Sequence, residues 1–97
     1  MKPLRFEWDE GKSLVNQRKH GISFEQAESV FCDERGLLMV DPTHSGDEDR
    51  FILLGLSVEL HMLVVCHCYR GGDIIRIISA RRATRRERAT YSHRWMT

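Results

Sequence analysis

Hydrophobic residues follow two different periodicities along the chain. At Phe24, Ala27, Val30 and Phe31 they recur three or four positions apart, which places them on one face of a helix. Beyond residue 36 they form short runs of strand length, separated by polar or glycine-containing segments. The pattern therefore predicts helices near the N-terminus and a strand-rich region after them.

Residues with defined capping and turn preferences mark where these elements begin and end. Asp9 and Ser23 occupy helix N-cap positions, Gln26 would complete a capping box with Ser23, and Gly21 ends the first helix. A polar segment at residues 43–49 predicts a loop. The predicted elements are strands at residues 4–8, 37–40, 50–57, 61–70 and 73–80, and helices at residues 10–20, from 23 to about 33–36, and from about 84 toward 95.

This order of elements indicates the α+β class. A chain of 97 residues has the length of one domain, which we place at residues 1–97. We expect a small, mostly antiparallel sheet, with two N-terminal helices and one C-terminal helix packed on one of its faces.

The Gly71-Gly72 pair also predicts which residues face each other across the last hairpin. If these two residues make the whole turn, His67 pairs with Arg76 in mid-sheet, and Tyr69 lies beside them on the same face. We expect that face to be uncovered, because an imidazole next to an obligate cation suits a core poorly. An ordinary solvent-exposed sheet surface is the alternative interpretation. The opposite, helix-covered face is expected to carry Val64, Cys66, Cys68, Ile75 and Ile77.

Composition excludes several classes of protein. The chain is 41% hydrophobic and 30% charged, as is usual for globular proteins, and its longest apolar runs are too short to span a bilayer. Without a segment typical of a signal peptide, we expect a cytoplasmic protein that does not bind membranes. Cys32, Cys66 and Cys68 are then expected to be reduced, and in a strand His67 points away from Cys66 and Cys68. We therefore expect no metal site and no cofactor.

Charge is distributed unevenly between the two halves. Residues 1–49 carry six basic and eleven acidic side chains, whereas residues 50–97 carry nine arginines and three acidic side chains. Six of these arginines lie between Arg81 and Arg94. Arginine binds phosphate with two-point geometry and stacks on bases, so a polyanionic partner is one interpretation. A solvated basic helix is the other.

Three stretches of sequence, taken together, carry a resemblance to a known family. They are residues 6–12 (FEWDEGK) continued by 16–27 (NQRKHGISFEQA), residues 41–51 (DPTHSGDEDRF), and residues 75–88 (IRIISARRATRRER). In this order and spacing they resemble the BrnT toxins, over a region from about Phe6 to Tyr91.

The resemblance implies a RelE-like ribonuclease from a bacterial type II toxin–antitoxin system, which cleaves RNA and inhibits translation when its antitoxin is lost. The implied partner is a BrnA-like antitoxin, a ribbon-helix-helix protein. Two toxins bridged by an antitoxin dimer would form a heterotetramer, and this complex would bind operator DNA and repress its own operon.

RNA cleavage without metal uses the ribose 2′-hydroxyl as nucleophile, and it needs a proton acceptor and cations that stabilise the developing charge. We predict that His67 transfers the proton, because an unperturbed imidazole titrates near neutral pH. Arg76 and Arg81 are predicted to stabilise the crowded phosphate. The predicted substrate-binding residues are Trp8, Lys12, Tyr69, Arg82, Arg85 and Arg86.

Several of these assignments have structural alternatives. His67 has the alternative of a hydrogen-bonded sheet histidine, Trp8 that of a ring packed over the core, and Lys12 that of a solvated helix face. Two other functions also fit the sequence. One is a non-enzymatic nucleic-acid-binding regulator that uses the arginine-rich last helix, and the other is a catalytically inert toxin retained as a scaffold for a repressor complex.

Overall fold

The structure, a computed structural model, describes residues 4–42 and 49–95. Most of the predicted polar loop therefore lies outside the described residues. Within them, five strands and three α-helices follow the predicted order, and a short 3₁₀ helix extends the second α-helix. The elements are β1 Arg5–Glu7, α1 Glu10–His20, α2 Phe24–Ser29, the 3₁₀ helix Val30–Cys32, β2 Leu37–Val40, β3 Phe51–Leu56, β4 Met62–Tyr69, β5 Ile74–Arg82 and α3 Arg85–Trp95.

The five strands form one sheet in the order β1-β5-β4-β3-β2. The three pairs between β2 and β5 are antiparallel, whereas β1 runs parallel to β5. The α+β class is confirmed, and the sheet is mixed. The parallel pair places the start of the described chain beside the last strand, which carries Arg76, Arg81 and Arg82 of the predicted site.

The predicted N-caps of α1 and α2 and the predicted end of α1 are confirmed, whereas α2 ends at Ser29, earlier than predicted. The side chain of Asp9 accepts a hydrogen bond from the backbone three residues on, and Gly21 ends α1 in the left-handed region at φ 72°. The hydroxyl of Ser23 accepts from the backbone N–H of Gln26 at the start of α2. The side chain of Gln26 is buried, and its Oε1 accepts from the hydroxyl of Ser57 in the turn between β3 and β4. This oxygen is therefore directed away from the N–H of Ser23, and the predicted capping box is wrong.

Helices α1 and α2 and the loop between them cover one face of the sheet. Leu53 of β3, Val65 of β4 and Ile77 of β5 point to this side, which we call the α1/α2 face. The buried cluster between helices and sheet consists of Ile22, Phe24, Ala27, Val30, Leu53, Leu63, Val65, Ile77 and Ala80. Burial of these side chains is the main favourable contribution to packing α2 and the loop before it against the sheet.

Helix α3 packs on the opposite side, which we call the α3 face. A second cluster contains Leu54, Val64 and Ala83, with Tyr91 of α3 packed against it. Because consecutive strand residues point to opposite faces, Leu54 lies on the other side of the sheet from its neighbour Leu53. The prediction that all three helices share one face is therefore wrong for α3.

The register of the last hairpin also differs from the prediction. Strand β4 ends at Tyr69 and β5 begins at Ile74, so the turn is longer than the Gly71-Gly72 pair alone, although both glycines have positive φ. His67 consequently pairs with Ile77, and Arg76 pairs with Cys68. A shift of one residue exchanges the faces of the sheet, so the predicted pairing of His67 with Arg76 is wrong.

A β-bulge changes the register a second time farther along the hairpin. Cys66 pairs with Ser79 while the next residue of β4, His67, pairs with Ile77, so Ile78 is an extra residue on β5. Beyond the bulge, Arg81 pairs with Val64 and lies on the α3 face. Of the residues predicted to lie under the helices α1 and α2, Ile75 and Ile77 of β5 do so. The predicted β4 residues Val64, Cys66 and Cys68 lie on the α3 face instead.

The side chain of Asn16 fastens α1 to the edge of β5, at a point beyond the pairing of β5 with β1. Asn16 is buried, and its amide donates to the carbonyl of Ala80 and accepts from the N–H of the same residue, at 2.8 and 3.1 Å. It also donates to the carbonyl of Ile22 at 2.9 Å. The amide thus bonds both backbone groups of Ala80, as a neighbouring strand would, and fixes α1 against the sheet.

We predict that Asn16→Ala lowers the free energy of unfolding by about 2–4 kcal/mol, because each buried backbone group left without a partner costs about 1–3 kcal/mol. Urea denaturation followed by circular dichroism measures this change. The control is Gln17→Ala on the exposed side of α1, which should change stability by less than about 0.5 kcal/mol. Equal stabilities of the two variants would contradict this account of Asn16.

Candidate active site

His67 lies inside the protein. It is on the α1/α2 face, its exposed fraction is 0%, and its ring meets the ring of Phe31 edge-on with centroids 4.8 Å apart. Phe51 and Tyr69 complete a cluster of rings around it. The expectation that His67 lies on an uncovered face next to Arg76 is therefore wrong, because the register places its side chain on the side that the helices cover.

The hydrogen bonding of His67 defines its protonation state. Its Nδ1 lies 3.1 Å from the carbonyl oxygen of Val65, which can only accept, so Nδ1 carries the proton. Its Nε2 is buried with no hydrogen-bond partner among the described residues. Burial lowers the pKa of His67 below its ordinary value, and the ring is held in the neutral form. A neutral ring enclosed on the α1/α2 face is not placed to exchange protons with a ligand on the opposite face of the sheet.

Arg76 lies on the α3 face and is paired with an acid. Its guanidinium donates to a carboxylate oxygen of Glu7 on β1 at 2.8 Å, which the parallel pairing of the two strands makes possible. Tyr69 lies on the α1/α2 face with His67, and it is exposed. The structure therefore separates Arg76 from both His67 and Tyr69.

A cleft of about 500 Å³ opens on the α3 face, between the N-terminal turn of α3 and the strands β3, β4 and β5. It contains two arginines, two acids, a thiol and a hydroxyl, and apolar strand residues form its floor. We call it the arginine cleft. Its polar lining residues are Asp41, Arg50, Cys66, Ser79, Arg81 and Glu87.

Arg81 is held in the cleft by a two-point ion pair. Its two terminal nitrogens donate to the two carboxylate oxygens of Glu87 at 2.8 and 2.9 Å. These hydrogen bonds lower the pKa of Glu87 to about 2, so the acid stays ionised. Glu87 also accepts from the N–H of Thr84, whose hydroxyl accepts from the N–H of Glu87, and this reciprocal cap begins α3.

The opposite wall of the cleft carries a buried acid and a thiol. Asp41, which follows β2, is 8% exposed, and the thiol of Cys66 donates to its Oδ2 at 3.6 Å. Burial, and then the charge of Asp41, raise the pKa of Cys66 to about 11, so Cys66 is a neutral thiol at physiological pH. Arg50 is exposed at the start of β3 and completes this wall.

Asp41 and Arg50 were missed as site residues by the sequence analysis. Both lie in the stretch at residues 41–51 that contributes to the family resemblance, and this was the available signal. Their meeting depends on the antiparallel pairing of β2 with β3, in which the N–H of Asp41 donates to the carbonyl of Arg50 at 2.9 Å. Only the register of that pair brings the two residues to one end of the cleft.

The remaining arginines of the predicted site divide between the two faces. Arg85 and Arg86 are exposed in the first turn of α3, next to the ion pair of Arg81. Arg82 pairs with Leu63 and therefore lies on the side of the sheet opposite Arg81. Arg85 and Arg86 directly precede the cleft residue Glu87 in the chain, whereas Arg82 lies on the other side of the sheet.

Trp8 and Lys12 are separate from the arginine cleft as well. Trp8 packs against the core, its ring meets that of Phe24 with centroids 6.1 Å apart, and its N–H donates to Glu10. Lys12 is exposed on α1 and lines a different cavity. For Trp8 this contact agrees with the packing alternative given by the sequence.

Two further properties concern metals and membranes. Among the residues at 4–42 and 49–95, no group of three or more His, Cys, Asp or Glu side chains is arranged to hold a metal ion. In the same part of the chain, none of the helices has the length and apolar character needed to cross a membrane.

Fold and site together define a small α+β protein with a cleft in which two arginines meet two acids. The chain belongs to the family described as the ribonuclease toxin BrnT of type II toxin–antitoxin systems, whose model matches residues 8–87. The predicted membership of this family is thereby confirmed. The further prediction of a RelE-like fold remains a prediction.

A solved structure gives independent support for the family. The crystal structure of the Brucella abortus ribonuclease toxin, BrnT, matches with a TM-score of 0.65 and 27% sequence identity. The match covers 84% of this chain and 99% of that one. The comparison with curated proteins found no match.

Alkylation should distinguish Cys32 from Cys66. Cys32 is exposed, whereas the thiol of Cys66, with its pKa of about 11, is ionised about a hundredfold less than one with the reference pKa of 9.0. We expect iodoacetamide at pH 8 to modify Cys32 first in the native protein, and Cys66 only slowly. Peptide mass spectrometry over time measures both rates, with unfolded protein as the control. Equal native rates would show that Cys66 is not shielded.

The buried imidazole should make stability depend on pH. Folding lowers the pKa of His67. Below about pH 6.5 this imidazole is therefore protonated in the unfolded chain while it is still neutral in the native state. The free energy of unfolding is therefore expected to fall as the pH drops from 6.5, by up to about 1.4 kcal/mol per pH unit. His67→Phe should remove this part of the slope, and the exposed His93→Gln should keep it. Identical slopes in all three proteins, measured by urea denaturation, would refute the assignment.

Proposed function

We propose that this chain is an endoribonuclease toxin that cleaves RNA in the cytoplasm without a metal ion and thereby inhibits translation. The proposal is supported by family membership and by one geometric observation, the meeting of Arg50, Arg81 and the carboxylate of Asp41 in the arginine cleft. Two cations and a carboxylate match two requirements of the reaction, namely charge stabilisation and proton acceptance.

In the proposed reaction, Arg50 and Arg81 bind the scissile phosphate, and Asp41 accepts the proton of the adjacent 2′-hydroxyl. The 2′-oxygen attacks phosphorus, the bond from phosphorus to the 5′-oxygen breaks, and the leaving oxygen takes a proton from water. The products are a 2′,3′-cyclic phosphate and a 5′-hydroxyl. Arg81 is the main electrostatic contributor, since its ion pair with Glu87 fixes the guanidinium in place before substrate binds.

The proposed site keeps part of the set predicted from sequence. Arg81 remains at its centre, and Arg85 and Arg86 bind the RNA backbone beside it. His67 is left out because its side chain is enclosed on the other face. Arg76, Tyr69, Trp8 and Arg82 are left out because the fold places them away from the arginine cleft.

The proposed partner is a BrnA-like ribbon-helix-helix antitoxin. A type II toxin is neutralised by an antitoxin protein, and the BrnA-like identity follows the family to which the chain belongs. We propose a heterotetramer of two toxins and an antitoxin dimer, which binds operator DNA and represses the operon that encodes both proteins.

Inducible expression with total RNA followed over minutes tests the activity. Wild-type protein should arrest growth and deplete RNA, and co-expression of the adjacent gene should relieve both effects. Asp41→Asn and Arg81→Gln should each reduce cleavage by the purified protein at least about a hundredfold, the usual contribution of a proton acceptor or a preorganised cation. Arg94→Gln, which removes an exposed positive charge near the end of α3, is the matched control and should retain activity.

The same assay separates the competing functions. Wild-type protein that binds nucleic acid without cleaving it would support the non-enzymatic regulator. Tight binding to the antitoxin with intact RNA would support the inert scaffold. EDTA should leave cleavage unchanged, and a loss of activity that added Mg²⁺ restores would contradict the metal-independent mechanism.

A further inference from the structure

A second cavity, of about 530 Å³, lies between α1 and the edge of β5. Its lining includes two lysines and a histidine from α1, together with backbone and side chains of β5 at the bulge. One acid, Asp9, also lines it, and its carboxylate caps α1 by accepting from the N–H of Lys12. We call this cavity the α1 groove. Its defining residues are Lys12, Asn16, Lys19, His20, Ile78 and Ser79.

The cations of the groove are aligned by the helix that carries them. Lys12, Lys19 and His20 each lie three or four residues from Asn16 and so border it on one side of α1. Asn16 is itself bonded to both backbone groups of Ala80. This contact turns that side of the helix toward β5, and the lysines one turn before and after Asn16 therefore border the strand edge.

The α1 groove and the arginine cleft meet at the β-bulge. Ile78 and Ser79 line both cavities. The other residues of the groove belong to α1 or its N-cap, whereas most of the cleft lies on the α3 face of the sheet. Ile78 and Ser79 lie beyond the part of β5 that pairs with β1, which is residues 74–76. The shared lining makes the two cavities neighbours along the edge of β5.

We propose that the α1 groove binds the backbone phosphate of a nucleotide next to the scissile one, on the same single RNA strand. This inference rests on the proposed function of the arginine cleft. Lysine ammonium groups act as point charges for phosphate, without the geometry that reads a base, so the groove adds affinity and directs the strand. It selects for RNA longer than a dinucleotide.

Fluorescence anisotropy with non-cleavable 2′-O-methyl RNA tests this role independently of catalysis. The protein would be full-length wild type, the double variant Lys12→Gln/Lys19→Gln, and the double variant Arg18→Gln/Arg94→Gln. The last removes the same number of exposed charges outside both cavities and is the matched control. Each protein would be titrated with a dinucleotide and with an octanucleotide over a range of salt concentrations.

We expect the lysine variant to bind the octanucleotide at least tenfold more weakly, and to bind the dinucleotide as wild type does. The dependence of log affinity on log salt should decrease by about 0.7, the value for the loss of one phosphate contact with a single strand. The control variant should show the same difference in affinity between the octanucleotide and the dinucleotide as wild type does. Unchanged octanucleotide binding, or equal weakening for both lengths, would overturn the proposal.

Failure of the groove and failure of the cleft give different results. If wild-type protein cleaves RNA, Arg81→Gln does not, and the lysine variant shows no effect of length, then the groove inference alone is wrong. If wild-type protein does not cleave RNA at all, the proposed function is wrong. A different result would be that the lysine variant binds RNA as tightly as wild type does but binds the antitoxin more weakly. That result would assign the groove to the protein partner and overturn the proposal.

Discussion

The register of the hairpin between β4 and β5 determines the arrangement of the whole molecule. One residue more in the turn and one extra residue at Ile78 decide which side chains of β4 and β5 lie on the same face of the sheet. They bury His67 beside Phe31, place Arg81 on the α3 face, and open the sheet edge that α1 approaches. Because a register shift of one residue exchanges the two faces, the core and the site depend on the same hydrogen-bonded ladder.

Much of the fold follows from local rules that the sequence displays directly. The helix ends at Asp9, Gly21 and Ser23 depend on neighbouring residues only, and their predicted positions agree with the structure. The strands and their order along the chain were also predictable from short apolar runs. The location of α3 was not, since Tyr91 and Ala83 contact a patch built from distant strands. Helix packing of that kind depends on tertiary contacts, for which a single sequence gives no periodic signal.

The site was less accessible to prediction than the fold. Arg81 was identified from its charge and place in the chain, and the structure puts it in a cleft. His67 was chosen because its ordinary pKa suits proton transfer, a reason that holds only while the ring reaches solvent. The identity of a titratable residue indicates what it can do, whereas the register determines what it contacts. Asp41 had no comparable local signal, because its neighbours in the cleft are distant in sequence.

The ion pair of Arg81 has a consequence for how the protein loses activity on heating. Glu87 both caps the first turn of α3 and orients the guanidinium, so unwinding of that turn releases the arginine at the same moment. Helix ends fray at lower free-energy cost than a core unfolds. If Arg81 acts as proposed, inactivation should precede global melting, and the temperature limit for RNA cleavage would be a property of one turn of helix rather than of the sheet.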